Sequence, residues 1–122
     1  MSNKELYSTY DRVKKNCAQE WENSKNFYAW YHRTAEEQRN CCKYCGLPGD
    51  TNTHYGKYFR KERRGKRLEV DRIDNNKPYS SDNCVLACYP CNNAKSDVFS
   101  SEEFKKIAKT ICEVKTEKKT CP

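Results

Sequence analysis

Leu6, Tyr10, Val13 and Cys17 recur at helical spacing within residues 4–37, a stretch without proline or glycine, which places them along one stripe of a helix. Phe27, Tyr28, Trp30 and Tyr31 follow in the same stretch. One or two helices are predicted there, with Ser24 capping the second and the charged residues 34–38 forming its exposed last turn. Because the aromatic residues share one helical face, they are expected to pack in the core rather than to stack on bases. The pattern changes at Cys42. Gly46, Pro48, Gly49 and Asp50 make a turn-rich knuckle, and a basic run occupies residues 57–67. Leu68, Glu69 and Val70 alternate as a short strand, residues 74–82 are polar turn material containing Pro78, and Cys84, Val85, Leu86 and Ala87 return as a buried strand. That is a hairpin with a long tip. Residues 92–95 suit a first helical turn, and Ser100 or Ser101 followed by Glu102, Glu103 and Phe104 reads as the cap of a final helix. Phe104, Ile107, Ala108 and Ile111 share its apolar face, and the polar tail over 115–122 is expected to fray. The fold class is therefore α+β in a single domain over 1–122: a helical part at 4–38, a core at 41–97 and a C-terminal helix at 101–113.

Only 35% of the 122 residues are hydrophobic, so the core is thin and a cross-link is expected to support it. Two CxxC pairs supply one: Cys42 with Cys45, and Cys88 with Cys91. A cysteine at i and i+3 can set two thiolates on one tight turn, and two such turns complete the tetrahedral sulfur shell of a structural Zn²⁺. Cys41 is an alternative to Cys42, although the i, i+3 spacing and the following Gly46 favour Cys42. Disulfides are the competing reading, since small cysteine-dense chains are often secreted. Against it, Met1 is followed by polar Ser2, Asn3, Lys4 and Glu5 rather than an apolar leader, and nine cysteines cannot all pair within one chain. An intracellular, reducing compartment is the expectation. Lys and Arg exceed Asp and Glu by 24 to 17, a net charge of +7, which favours a polyanionic partner. No apolar run approaches the roughly 20 residues of a spanning helix, which counts against a membrane and leaves nucleic acid.

Residues 68–97 read LEVDRIDNNKPYSSDNCVLACYPCNNAKSD, and this string resembles the HNH endonuclease family. The resemblance covers the chain from about Phe27 onward, including the aromatic helix before CxxCG and the KSD, F-S-x-E-E-F ending known from phage and large-virus members, so a phage or viral origin is a possible source. It implies a ββα-metal, treble-clef-like core with structural zinc, flanked by N- and C-terminal helices. In that family a divalent cation is held by an Asp or His ending the first strand, an Asn opening the second, and a His or Asn after the last Cys. Asp71, Asn83 and Asn92 stand at those three places. By analogy Asn83 would hydrogen-bond across the loop and hold the site's geometry, and Lys95, one turn beyond Asn92, would clamp a phosphate.

A carboxylate at Asp71 and an amide oxygen at Asn92 are hard ligands suited to Mg²⁺ or Mn²⁺, too few to satisfy the ion without water and a phosphate. Each such residue alone is more often a turn-former; together, between two cysteine pairs, they point to phosphodiester chemistry. One position departs from the family pattern. Where most members carry the histidine that deprotonates the attacking water, this chain has Arg72, and a guanidinium with a pKa above 12 is no general base near neutral pH. Arg72 binds phosphate in one reading; in another Asp74, His54 or a nearby tyrosine takes the proton; in a third the chain binds DNA without cutting it. The basic residues Lys57, Arg60, Lys61, Arg63, Arg64, Lys66 and Arg67, with Tyr55, Tyr58 and Phe59 among them, suggest a clamp on the phosphate backbone. The resulting expectation is a metal-dependent HNH nuclease that nicks DNA, with duplex DNA as the expected substrate and a monomer or homodimer as the expected form. The alternative is a non-catalytic zinc-containing DNA-binding module.

Overall fold

A computed structural model describes residues 2–50 and 65–120. Two helices open it, α1 over Tyr7–Val13 and α2 over Ser24–Glu37, separated by 3₁₀ turns at Lys14–Asn16 and Gln19–Glu22. Strands β1, Glu69–Arg72, and β2, Cys84–Ala87, pair antiparallel with Asp71 opposite Val85 and Arg72 opposite Cys84. Helix α3, Tyr89–Lys95, follows at once, and α4 spans Ser101–Thr120. This is the expected α+β arrangement, with a ββα unit between N- and C-terminal helices.

Helix α2 is capped by Asn23, whose side chain accepts from the Lys25 N–H at 3.0 Å; Ser24 is its first residue rather than its cap. Its buried residues Phe27, Trp30, Tyr31 and Ala35 form one stripe, and Trp21 and Tyr10 close over that stripe. The aromatic residues are core, as their spacing predicted. The helix ends without glycine. Arg39 and Asn40 take positive φ of 54° and 58°, and the bonds Asn40 N–H to Ala35 O and Arg39 N–H to Glu36 O are those of a Schellman motif. The chain is thereby turned directly into the first cysteine knuckle.

Helix α4 begins with a reciprocal box: Ser100 Oγ accepts from the Glu103 N–H at 3.2 Å, and Glu103 accepts from the Ser100 N–H at 2.9 Å. These bonds satisfy otherwise orphaned donors, and they hold the Glu103 carboxyl below its usual range. The helix continues to Thr120, past the end at 113 and through the tail expected to fray, because lysine, glutamate and threonine supply no stop signal before Pro122.

The N-terminal part also pins the hairpin tip. Ala18 N–H donates to Tyr79 O at 2.8 Å and Tyr79 N–H to Asn16 O at 2.9 Å, while Glu20 accepts from both the backbone and the hydroxyl of Ser81. Two segments far apart in sequence thus fix this loop.

Candidate metal centres and nucleic-acid cleft

The first knuckle is a tight turn in which the Gly46 N–H donates to Cys42 O and the Cys42 N–H to Leu47 O. Gly46 has φ of 77°, a conformation that costs glycine little. The second knuckle spans the start of α3, where Pro90 occupies a first-turn position that needs no N–H. Together they bring the thiols of Cys42, Cys45, Cys88 and Cys91 within 4.8 Å of one another, all buried. Cys45 Sγ and Cys88 Sγ are 3.8 Å apart, close to the separation of about 3.8 Å required by a tetrahedral ion with 2.3 Å Zn–S bonds. Hydrogen bonds from Cys45, Cys88 and Cys91 hold the Cys42 thiol well below its ordinary value. The set fits a zinc ion. Cys41 is outside it, with its thiol toward Arg39 O, and Cys84 is an isolated buried thiol pushed up to about 12 by desolvation.

On β1, alternate side chains diverge, as the period of a strand requires. Asp71 is 4% exposed, and its Oδ2 accepts from Tyr44 Oη at 2.6 Å and pairs with Lys95 Nζ at 3.3 Å. Its Oδ1 has no hydrogen-bond partner among the described residues. Burial raises its carboxyl, opposed by Tyr44 and Lys95. Asn92 donates from Nδ2 to Glu69 at 2.9 Å, which leaves its oxygen as an acceptor with no partner among the described residues. Asp71 and Asn92 line one cleft of about 190 Å³, together with Arg72, Tyr79 and Asp97. The two oxygens are the type a hard divalent cation selects.

Asn83 holds the hairpin tip. Its Oδ1 accepts from the Asp74 N–H, and its Nδ2 donates to the carbonyls of Asp74, Lys77 and Pro78. These bonds run across the loop. Arg72 extends from the other side of β1, stacked 5.0 Å over the Tyr79 ring, and bonded to Lys77 O and Asp97 Oδ1. It is fixed before any ligand arrives. Burial raises the Tyr79 phenol, with Arg72 and Arg12 pulling the other way, so Tyr79 stands protonated at neutral pH.

Lys95 departs from the expected phosphate clamp. It is 0% exposed, and its ammonium reaches Arg72 O at 2.8 Å, Asn75 Oδ1 at 3.1 Å and Asp71 Oδ2 at 3.3 Å. Those contacts use its three donors inside the protein. Asp74, considered as a proton acceptor, bonds the Asn76 N–H and lines a neighbouring cavity rather than this cleft. Lys66 and Arg67 lie on the approach to β1 and line an adjoining groove. Lys57, Arg60, Lys61, Arg63 and Arg64 lie outside the described residues, as do His54, Tyr55, Tyr58 and Phe59. Sequence reasoning missed Tyr44, Asp97, Glu69 and Arg12. Only Tyr44 carried a signal, being inside the first CxxC, and nothing in the spacing tied it to Asp71.

No family model matches the chain, and no curated protein matches it. Among solved structures, it is similar to the rare-cutting HNH restriction endonuclease PacI, with 28% identity and a TM-score of 0.66 over 93% of this chain and 81% of that one. A likeness confined to the cysteine knuckles would show only a shared zinc-binding turn, whereas this one runs through both flanking helical parts as well, so the chain resembles an HNH endonuclease over nearly its whole length.

Proposed function

We propose that the protein is a divalent-metal-dependent endonuclease that hydrolyses DNA phosphodiester bonds, nicking one strand per active site, on a scaffold held by one structural zinc. The observation that carries this reading is the pair of acceptor oxygens, Asp71 Oδ1 and Asn92 Oδ1, both without partners among the described residues, in the cleft that Arg72 borders. Mg²⁺ or Mn²⁺ at those oxygens would polarise the scissile phosphate and stabilise the leaving 3′ oxygen. The protein's own contribution is positioning. Glu69 orients Asn92, Tyr44 and Lys95 orient Asp71, and Asn83 keeps the tip closed. Arg72 offers planar donors to a phosphate oxygen, in place of the histidine usual in the family. A guanidinium keeps its proton near neutral pH, so Arg72 acts on charge and not as a base. Duplex DNA is the proposed substrate, with Lys66, Arg67 and the basic residues preceding them contacting its backbone.

The departure at Arg72 sets this reading against a DNA-binding module without activity. In a supercoiled-plasmid assay with Mg²⁺ or Mn²⁺, Arg72→Ala is expected to lower the nicking rate on the order of 10²–10³-fold, the cost of one charge-stabilising donor. An inert wild type alongside a cutting Arg72→His variant would instead identify the binding module.

A further inference from the structure

Helix α1 presents Arg12 at the junction of two polar cavities. One is the cleft of Asp71, Arg72 and Asn92; the other, about 160 Å³, is lined by Ser8, Thr9, Lys66 and Arg67 among others. Arg12 lines both. Its neighbours in the helix, Tyr10 and Val13, are buried, and Tyr10 Oη donates to Trp21 O at 2.6 Å, so the position of the helix is set by the aromatic core. The other cations near the cleft are already engaged: Arg72 with Asp97, and Lys95 with Asp71. The Arg12 guanidinium has no hydrogen bond or ion pair among the described residues. Glu69, the one carboxylate among the described residues lining the second cavity, accepts from Asn92.

We propose that Arg12 binds a DNA phosphate beside the scissile one, joining the cation cleft to the Lys66 and Arg67 groove and making the N-terminal helix part of the DNA interface. The inference rests on the nuclease reading for the location of the scissile phosphate, and it adds a contact from an element that the ββα unit does not contain. A guanidinium fork suits this role because it can meet two phosphate oxygens at once. A cation with no partner among the described residues gives up no ion pair to them when it does so.

The test uses zinc-loaded full-length protein and a short mixed-sequence duplex, without added Mg²⁺ or Mn²⁺, so that binding is read separately from cutting. Arg12→Ala should weaken binding and flatten the dependence of log K on log salt by about 0.9, the release from one phosphate contact. Arg12→Lys should recover the slope. Zinc content and melting temperature should stay at wild-type values, and Arg12→Gln provides a second neutral variant if Arg12→Ala folds poorly. In the nicking assay, Arg12→Ala should raise KM more than it lowers kcat. An unchanged slope in both neutral variants overturns the inference, even if the wild type nicks DNA. A flattened slope with a wild type that never cuts upholds the phosphate contact and removes the nuclease reading instead.

Discussion

Lys95 shows how a residue at a recognisable position can have a role that its position does not reveal. The spacing after Cys91 placed it on α3 one turn beyond Asn92, where an ammonium at the surface would meet a phosphate. Instead, the short helix turns it beneath β1, against the Arg72 carbonyl and the Asp71 carboxylate. Its burial also changes how Asp71 can be tested. Removing either partner leaves the other charge uncompensated in the interior, so Asp71→Ala confounds a lost ligand with lost stability. Lys95→Met should cost about 3–5 kcal/mol, the range for breaking a buried ion pair from one side, measured by urea denaturation of zinc-loaded protein. A loss of DNA affinity with unchanged stability would return Lys95 to the surface. The positions of Asp71, Asn83 and Asn92 were legible because they depend on where strands and helix begin and end. Tyr44, Arg12 and Asp97 were not, since each reaches the cleft through a contact distant in sequence.

At the level of elements, the two knuckles and the hairpin could be read directly. A CxxC pair fixes a turn by its own spacing, and the strand over 84–87 is bounded by polar residues and a cysteine pair. The end of α2 gave no comparable sign, because its Schellman motif uses Arg39 and Asn40 where glycine would have marked it. The cap of α2 was displaced by one residue, for Asn23 and Ser24 are both good capping types. The knuckles carry a prediction of their own. Four buried thiols at this separation imply about one zinc per chain by metal analysis. Cys88→Ala should leave the protein largely unfolded by circular dichroism, since structural thiolate sites in model peptides contribute on the order of 10–16 kcal/mol. Protein that is folded and free of zinc, or that carries a Cys42–Cys45 disulfide when isolated under reducing conditions, would contradict the assignment.

Across the whole molecule, the candidate cleft depends on parts that lie outside the ββα unit. The N-terminal turns hold Tyr79 by backbone bonds, α1 brings Arg12 to the rim, and the first knuckle supplies the Tyr44 hydroxyl to Asp71. The positive charge of the chain had predicted a polyanionic partner without locating its path; the fold places Arg12, Lys66 and Arg67 around one groove. Among the described residues no helix is long and apolar enough to cross a membrane. Central to the proposed activity is the pair of oxygens that Asp71 and Asn92 offer to a divalent cation, and Asn92→Ala deletes one of them without deleting a charge, at the loss of one donor to buried Glu69. Nicking of supercoiled plasmid by zinc-loaded wild type and Asn92→Ala, started with Mg²⁺ or Mn²⁺ at matched zinc content and melting temperature, tests that claim. Metal-dependent conversion to open circles by the wild type, falling to background in Asn92→Ala, is the predicted result. Equal nicking by the two proteins, or none by the wild type with either metal, would contradict it.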